Sequence, residues 1–321
     1  MNISRIAAFA VLFVVTSVIL LGSIELALRL KNLDMRNYDI EMWRYSKELK
    51  HISKNPILGH DHIPSSSAEL QSVHIRINAE GLRGAEISTS QPDRRIMFIG
   101  SSITLGWGVE EEATLTEQLE RKFEQDNKNA EVLNAGIGNY NAVRYVERYL
   151  TKLADIPVTD IVVQYFVNDA EVLISQDNFI IRNSELAVTL WRIYSQYVNG
   201  FGSMGSLIDH YKNVYKPTSQ GYIEMRKSLL KLSEYAKKKG IRVYLAMTPD
   251  IHNMKDYPFT FIHDEMRRIS SDLGWKYIDL YPAFSKSTPE EVWSMPGDPH
   301  PNALGHKWMA DAIYPILAAD N

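Results

Sequence analysis

Five short apolar runs alternate with amphipathic stretches between residues 95 and 280, and this alternation limits the fold more than any other feature. The amphipathic stretches have helical periodicity: TLTEQLERKFEQDN carries Thr114 and Glu117 at capping-box spacing, and IEMRKSLLKLSEYAKKKG ends at a glycine. Strands alternating with helices predict right-handed crossovers and a five-stranded parallel sheet with helices on both faces. The predicted strands are RIMFIG, EVLNAG, DIVVQYF, IRVYLAM and WKYIDL.

The residues that follow each predicted strand are candidates for chemistry, because parallel sheets bind ligands beyond the carboxyl ends of their strands. The segments after the first three strands, 100–104, 134–138 and 167–169, are rich in Ser, Gly, Asn and Asp. Taken singly, each of these residues also fits an ordinary turn or a helix cap.

A second group of candidates lies near the C-terminus, in MPGDPHPNALGH. Asp298 and His300 each precede a proline, which favours extended backbone, and side chains two residues apart in an extended chain lie on the same side. The Asp298 carboxylate can then orient the His300 imidazole, whose other nitrogen can act as a base toward a serine. The same segment also fits a proline-stiffened turn capped by Asp298.

A rival pair, Asp250 and His252 in TPDIHNM, has the same spacing after the fourth predicted strand. This pair has no flanking proline and no trailing PNALGH. We therefore favour His300 as the base and assign His252 to substrate contact.

In this order the motifs resemble the blocks of the SGNH or GDSL superfamily of serine esterases and acyltransferases, which has a flavodoxin-like three-layer α/β/α fold. FIGSSITLGWGV resembles the first block and implies Ser102, not Ser101, as the nucleophile. LNAGIGNYN resembles the second block, and YFVNDA the third. Together they imply an oxyanion hole of the Ser102 and Gly136 amides with the Asn168 side chain. DPHPNALGH resembles the last block and implies His300 as the base, and the resemblance runs from about residue 95 to the C-terminus.

Three positions depart from the pattern of this superfamily. Ser101 replaces the aspartate beside the nucleophile, which we interpret as a local change in hydrogen bonding. Phe166 replaces the glycine of the third block; it either narrows the acyl pocket and favours a short acyl group such as acetyl, or only packs. Many members place the acid three residues before the histidine, where this chain has Gly297, so the acid here is Asp298. We assign Phe166 and Asp169, together with His252, to substrate contact.

The N-terminus predicts a membrane anchor. Residues 6–24 are uncharged and mostly apolar, close to the roughly 20 residues that cross a bilayer as a helix, and Arg5 precedes them. Because no convincing small-x-small cleavage site follows, we favour an uncleaved signal anchor over a removed signal peptide. Positive residues on both flanks weaken the charge rule for orientation, and we favour a body outside the cytoplasm, periplasmic or extracellular.

We divide the chain into the anchor, residues 1–31; a linker and prelude, 32–94; and a hydrolase-like domain, 95–321, with a long insertion at about 170–218. Gly200, Gly202 and Gly205 in the insertion fit either the hinges of a cap over the site or a static excursion of the surface. Trp43 and Tyr45 fit either the lipid headgroups or a solvated linker helix.

Composition and missing residue types exclude several other functions. The 35 basic and 39 acidic residues form no basic stripe, so nucleic acid is not an expected partner. The absence of cysteine excludes thiolate catalysis and disulfides, and GSSITLGWG has no lysine to cradle a phosphate. His60 and His62 in GHDH lack a third ligand and predict a solvated loop rather than a metal site. We expect no metal and no cofactor.

The sequence therefore predicts a membrane-anchored serine esterase or O-acyltransferase that works through an acyl-enzyme. Its predicted partners are an O-acylated small molecule or glycan, with acetyl the favoured acyl group, and the membrane; protein partners stay open. The phrase INAEGLRG and the anchor also resemble a membrane-anchored branch whose members often serve surface polysaccharide modification. The alternative is a catalytically silent domain that binds a glycan or a partner at the membrane.

Overall fold

The computed structural model describes residues 3–173, 179–199 and 204–320, and the described chain begins with a long helix followed by two small hairpins. The turn of the second hairpin contains Gln71 and Ser72, both in the left-handed region with φ of 54° and 60°, the conformation that tight hairpins favour. These elements are α1 (Ile3–Lys31), α2 (Tyr38–Glu48), β1 (Lys50–Ile52), β2 (His60–His62), β3 (Ser66–Leu70) and β4 (Val73–Ile77).

The five predicted strands form one parallel sheet in the order β6-β5-β7-β8-β9. Its strands are β5 (Arg94–Gly100), β6 (Ala130–Asn134), β7 (Asp160–Tyr165), β8 (Arg242–Met247) and β9 (Lys276–Asp279). The chain crosses from β5 to one neighbour and then back to the other, so the carboxyl end of β5 is the point where strand order reverses. Ligands bind at such points in open α/β sheets.

Helices cover both faces of this sheet, so the fold is the predicted α/β architecture with one apolar N-terminal helix. The helices after β5 are α3 (Ser102–Leu105), α4 (Leu115–Gln125), α5 (Ala142–Arg148), α6 (Phe179–Asn183), α7 (Glu185–Asn199), α8 (Met204–Val214), α9 (Gln220–Lys239), α10 (Thr260–Leu273), α11 (Tyr281–Phe284), α12 (Pro289–Val292) and α13 (Ala303–Ala318). A hairpin of β10 (Trp293–Met295) and β11 (Asp298–Pro301) precedes the last helix.

The two faces of the sheet carry separate apolar cores. Helices α5, α9 and α10 cover one face, and α4 and α13 cover the other. Every residue of β5 and of β7 is buried, as expected for central strands of a covered parallel sheet. A fully buried large apolar side chain contributes about 1.5–3 kcal/mol to folding, so these strands form a rigid base for the loops that leave them.

Residues 32–94 pack against the domain and do not form a free linker. Tyr45 is fully buried against Trp107, so neither the lipid-headgroup nor the solvated interpretation of Tyr45 is correct. The Trp43 indole donates to the carbonyl of Ile181, 2.8 Å away, in the long insertion. The buried Arg148 guanidinium pairs with Asp61, with 2.9 Å between Nε and Oδ1, and ties α5 to β2.

The prediction of a solvated loop at His60 and His62 is wrong. His62 is buried, with its ring between the Tyr45 hydroxyl and the Gly81 carbonyl, and burial lowers its pKa to about 3. His60 lies 3.0 Å from the Gly138 carbonyl, and burial lowers its pKa to about 2. Both rings are neutral parts of the packing.

Helix α1 is the one helix among the described residues that is long and apolar enough to cross a membrane. The most apolar 18-residue window of the span 5–34 has a mean hydropathy of 2.5, and none of that window is buried in the protein. The long insertion contributes α6, α7 and α8. Gly205 lies inside α8, whereas Gly200 and Gly202 lie outside the described residues, so the question of hinges stays open.

Candidate active site

The nucleophile candidate stands directly after the central strand. Strand β5 ends at Gly100, where a Cβ atom would lie 2.0 Å from Thr104 Oγ1 and 2.9 Å from the carbonyl oxygen of Gln164, so only glycine fits. Ser102 is the first residue of α3, and amides in the first turn of a helix have no partner within that helix. The turn therefore presents the Ser102 hydroxyl and amide together at the edge of the sheet.

The other two candidates lie on β11, as the extended Asp-x-His segment predicts. His300 Nε2 is 2.8 Å from Ser102 Oγ, and His300 Nδ1 is 2.6 Å from Asp298 Oδ1. The Asp298 side chain is fully buried, whereas 12% of the His300 side chain is exposed. The structure thus brings the three predicted residues together in one hydrogen-bonded row whose serine end is the more open.

The Asp298 carboxylate also accepts hydrogen bonds from outside the row. Gln71 Nε2 donates from 2.7 Å and Ser294 Oγ from 2.8 Å, both to Oδ2, and the His300 amide donates to Oδ1 from 3.1 Å. Burial alone would raise the pKa of Asp298. The hydrogen bond and charge of His300, and to a smaller extent the hydrogen bonds from Gln71 and Ser294, hold the pKa of Asp298 below its usual value. The acid is therefore ionised at neutral pH.

Sequence reasoning missed a group of residues before the domain that surround this acid. Gln71 lies in the β3–β4 turn. Its backbone N–H donates to the buried Glu41 carboxylate at 2.6 Å, while its side-chain amide reaches Asp298. On the same helix α2, the Tyr38 ring lies 5.8 Å from the His300 ring. No motif in the sequence marks these residues. Their position beside Asp298 and His300 is visible only in the folded protein.

Arg83, in the phrase INAEGLRG, holds the far side of the nucleophile loop. Its guanidinium donates to the carbonyls of Leu105, Gly106 and Val109 at 2.5–2.6 Å. These carbonyls lie at and beyond the end of α3, where a short helix leaves carbonyl groups outside its own hydrogen bonds. Arg83 therefore fixes the loop that carries Ser102.

The predicted role of the Gly136 amide in the oxyanion hole is contradicted by the structure. This amide donates to Asn134 Oδ1 at 3.1 Å, and Gly136 packs against the backbone of Thr104 and Leu105, where a Cβ atom would lie 2.2 Å from the Leu105 amide nitrogen. A glycine is needed here for close packing. Its N–H group is already hydrogen-bonded to the Asn134 side chain.

The Asn168 side chain is placed differently. It is half-buried after β7, it makes no hydrogen bond to any residue in the described ranges, and its Oδ1 atom is buried without a partner. Buried amide groups are normally hydrogen-bonded. An unpaired amide at the carboxyl end of a central strand is a group available to a ligand.

The assignment of Asp169 to substrate contact is wrong. Asp169 is fully buried, and its Oδ2 accepts from the Phe166 amide at 2.9 Å and from the Tyr145 hydroxyl at 3.2 Å. Burial raises its pKa to about 8. This carboxyl group braces the turn that carries Asn168, while Phe166 is half-buried between the two apolar cores.

The rival pair also forms, in a different setting. His252 Nδ1 is 2.8 Å from Asp250 Oδ1, and this hydrogen bond raises the pKa of His252. The His252 ring meets the Trp293 indole edge-on at 5.5 Å, and Trp293 is paired with Pro301 on β11. No described serine lies within hydrogen-bond distance of His252, so His300 is the histidine that can activate a hydroxyl.

A serine at the switch point of a flavodoxin-like sheet, hydrogen-bonded to a histidine and an aspartate from a C-terminal segment, is the arrangement of an SGNH-type α/β hydrolase. The model of the GDSL-like lipase/acylhydrolase family matches residues 98–308, and the chain belongs to this family. It is therefore a hydrolase that acts on ester bonds. No curated protein sequence matches the chain.

Several esterases are among the solved structures to which the chain is similar. An acetyl xylan esterase, AlAXEase, is 17% identical with a TM-score of 0.45, and the match covers 70% of this chain and 99% of that one. A catalytic mutant of an acetylxylan esterase from Geobacillus stearothermophilus is 16% identical with a TM-score of 0.47, covering 70% and 94%. A two-domain esterase active on acetylated mannans is 17% identical with a TM-score of 0.45, covering 70% and 49%.

Proposed function

We propose that the chain is a membrane-anchored serine esterase or O-acyltransferase that removes or moves an acetyl group carried on a glycan hydroxyl. Ser102 is the nucleophile, His300 the general base and acid, and Asp298 the group that orients His300. The observation that carries this proposal is the hydrogen-bonded row, 2.8 Å from Ser102 Oγ to His300 Nε2 and 2.6 Å from His300 Nδ1 to Asp298.

In the first half-reaction His300 Nε2 takes the proton of Ser102 Oγ as this oxygen attacks the ester carbonyl. The carbonyl oxygen becomes an oxyanion, which needs donors already in place. The Asn168 side chain and the Ser102 amide supply two of them. His300 then gives its proton to the departing sugar oxygen, the old ester bond breaks, and the acyl group stays on Ser102.

A third donor comes from the loop after β6. The Ile137 amide donates to the Gly100 carbonyl at 3.2 Å, so this loop lies against the nucleophile turn. Asn139 on the same loop is exposed, has a left-handed backbone with φ of 64°, and its amide donates to no described residue. We assign to Asn139 the role that Gly136 cannot fill.

In the second half-reaction His300 activates a second hydroxyl group, which attacks the acyl carbon and frees Ser102. If this hydroxyl belongs to water, the enzyme is an esterase; if it belongs to a sugar, the enzyme is an acyltransferase. The two outcomes need the same catalytic groups and differ in which hydroxyl reaches the acyl-enzyme.

Two aromatic residues near the row support a small acyl group on a sugar. Phe166 stands two residues before Asn168 and is half-buried, and we propose that its ring limits the room for a long acyl chain. Trp293 lies beside the strand of His300 and presents a half-buried indole, the kind of surface on which a sugar ring packs.

Helix α1 supports a place for the enzyme at the membrane. An apolar helix at the N-terminus with no buried window supports the proposal of a signal anchor that holds the enzyme at the membrane, with the catalytic domain outside the cytoplasm. The domain limits of the sequence analysis, with residues 1–31 as anchor and 95–321 as catalytic domain, belong to the same proposal.

A fluorophosphonate probe tests the nucleophile, because only an activated serine reacts with it. We expect labelling of the purified full-length chain at Ser102, mapped by mass spectrometry, and its loss in Ser102→Ala and in His300→Ala. Ser101→Ala is the matched control, since it removes the adjacent hydroxyl and should keep the label. Failure of folded protein to label, beside a reactive serine esterase, would support the silent binding domain instead.

The acyl preference is tested by enlarging the pocket. Phe166→Ala should raise the ratio of activity on p-nitrophenyl butyrate to activity on p-nitrophenyl acetate at least tenfold. The change removes a ring larger than the two methylenes that butyrate adds, and one methylene accommodated in an apolar pocket is worth about tenfold or more. An unchanged ratio in a folded variant would mean that Phe166 only packs.

A further inference from the structure

Helix α7 of the long insertion turns its apolar side outward. Five large apolar residues are exposed on it, with between 44% and 87% of each accessible: Leu190, Trp191, Ile193, Tyr194 and Tyr197. Their spacing of three, four and seven residues places them on one side of a helix. We call this side the outer face of α7. Exposed apolar patches of this kind mark interaction sites.

The opposite face of α7 is occupied. Glu185 and Val188 are buried, and the Arg192 guanidinium pairs with the carboxylate of Asp39 on α2. The inner face thus carries the contacts to the protein, most of them polar, and the outer face carries the exposed large apolar residues. A soluble surface helix has the reverse arrangement.

The start of α7 is attached to the end of the apolar part of α1. The Glu25 carboxylate accepts hydrogen bonds from Ser184 Oγ and from the Glu185 and Leu186 amides at 2.9–3.0 Å, so it caps the N-terminus of α7. Asn32 Nδ2 donates to Glu185 Oε2 at 2.9 Å. Because the uncharged run of α1 ends at residue 24, Glu25 marks the level at which α1 leaves the hydrocarbon.

We propose that α7 is a second membrane contact, an interfacial helix whose outer face lies among the lipid headgroups of the bilayer that α1 crosses. The proposal rests on α1 being the membrane anchor. A lipid interface is the occupant because the outer face begins beside the anchor, at the depth where the apolar run of α1 ends. Its Trp and Tyr side chains are the types enriched at that depth.

This arrangement puts the active site close to the membrane surface. Through its inner face α7 contacts α2, because the Arg192 guanidinium pairs with the carboxylate of Asp39. The ring of Tyr38, the residue before Asp39, lies 5.8 Å from the His300 ring. Helix α2 therefore connects α7 to the catalytic histidine. Because α2 contacts both α7 and the His300 ring, we expect the enzyme to act on esters presented at the membrane surface.

The experiment uses the absence of cysteine in the chain. Single cysteines replace Tyr194 and Tyr197 in the full-length protein, each carries an environment-sensitive fluorophore, and the protein is reconstituted into phosphatidylcholine and phosphatidylglycerol vesicles. Lipids that carry a quencher near the headgroup report contact. Asp264→Cys on α10, with 72% of the native side chain exposed, is the matched control, and Val15→Cys is the marker for the anchor.

We expect quenching at positions 194 and 197 at least fivefold above that at position 264. Quenching equal to that at position 264 overturns the proposal. A label at position 194 that is shielded from water but not reached by the lipid quencher also overturns it, because a protein partner would then cover the outer face. Position 15 lies at the middle of the uncharged run, so it is tested with lipids that carry the quencher deep in the acyl chain. Absent quenching there would overturn the anchor as well. The same labelled proteins retain Ser102, and their hydrolysis of p-nitrophenyl acetate is measured separately. Absent hydrolysis counts against the proposed esterase, whereas absent quenching at 194 and 197 counts against the membrane contact.

Discussion

Gln71→Asn is the change that most directly tests how the segment before the domain serves the active site. The Gln71 amide group donates to Asp298 Oδ2 at 2.7 Å. Asparagine is one methylene shorter, which withdraws the donor by roughly 1.5 Å, beyond hydrogen-bond distance. Asparagine also tolerates the left-handed backbone at this turn, so the hairpin is kept.

The magnitude follows from the environment of the acid. A hydrogen bond to a charged group contributes about 1.5–3 kcal/mol, and the fully buried Asp298 has no solvent to replace the lost donor. If that energy stabilises the ion pair formed when His300 takes the serine proton, kcat/KM falls about 10- to 100-fold. Ser294 and the two His300 bonds remain, which keeps the loss well below that of removing the acid.

The assay is kcat/KM for p-nitrophenyl acetate between pH 5 and pH 9. The bond from Gln71 favours the charged carboxylate and so lowers the pKa of Asp298; its loss raises that pKa. The deficit of Gln71→Asn should therefore grow as the pH falls, whereas a merely structural defect would be the same at every pH. Ser72→Asn is the control, because it introduces the same residue at the next left-handed position of the turn. Activity of Gln71→Asn within twofold of the native chain across this range, or an equal loss in Ser72→Asn, would refute the reasoning.

Two further predictions concern buried carboxyl groups. Asp298→Asn should lower kcat about 10⁴-fold, the loss recorded when an amide replaces the acid of a serine-protease triad. Asp250→Asn should lower kcat less than tenfold. Comparable losses of kcat for the two variants in steady-state assays would favour the rival pair, Asp250 and His252. Asp169→Asn should alter the pH dependence of stability: because burial raises the pKa of Asp169 to about 8 from about 3.9 in the unfolded chain, its contribution to stability is complete below about pH 4 and is lost as pH rises toward 8. Urea unfolding of the Asn variant at pH 5 and pH 8 should show a smaller decline than the native chain, and an unchanged decline would contradict the assignment.

Much of the scaffold could be predicted because its signals are local. Each strand of the sheet is an apolar run bounded by turn residues, and Thr114 caps α4 through the Glu117 amide as the spacing predicts. The extended Asp298–His300 segment follows from its prolines. In each case the decisive interactions lie within a few residues of chain.

The errors and omissions have a common cause in long-range packing. Gln71 and Asp298 are 227 residues apart, and nothing near Gln71 shows that its turn meets β11. The Gly136 amide was assigned from its place in a motif, yet the Asn134 side chain takes its hydrogen bond. Asp169 follows Asn168 directly, but the turn directs its side chain into the core.

The sequence by itself determined the α/β order of elements, the serine after the first strand, the Asp-x-His pair and an apolar helix at the N-terminus, because these depend on backbone preference and hydrophobic pattern over short stretches. Tertiary structure alone decided which donors hold Asp298, which histidines are buried and which face α7 leaves uncovered. Those features depend on surfaces brought together from distant parts of the chain, and hydrogen bonding and burial at such contacts leave no periodic trace in the sequence.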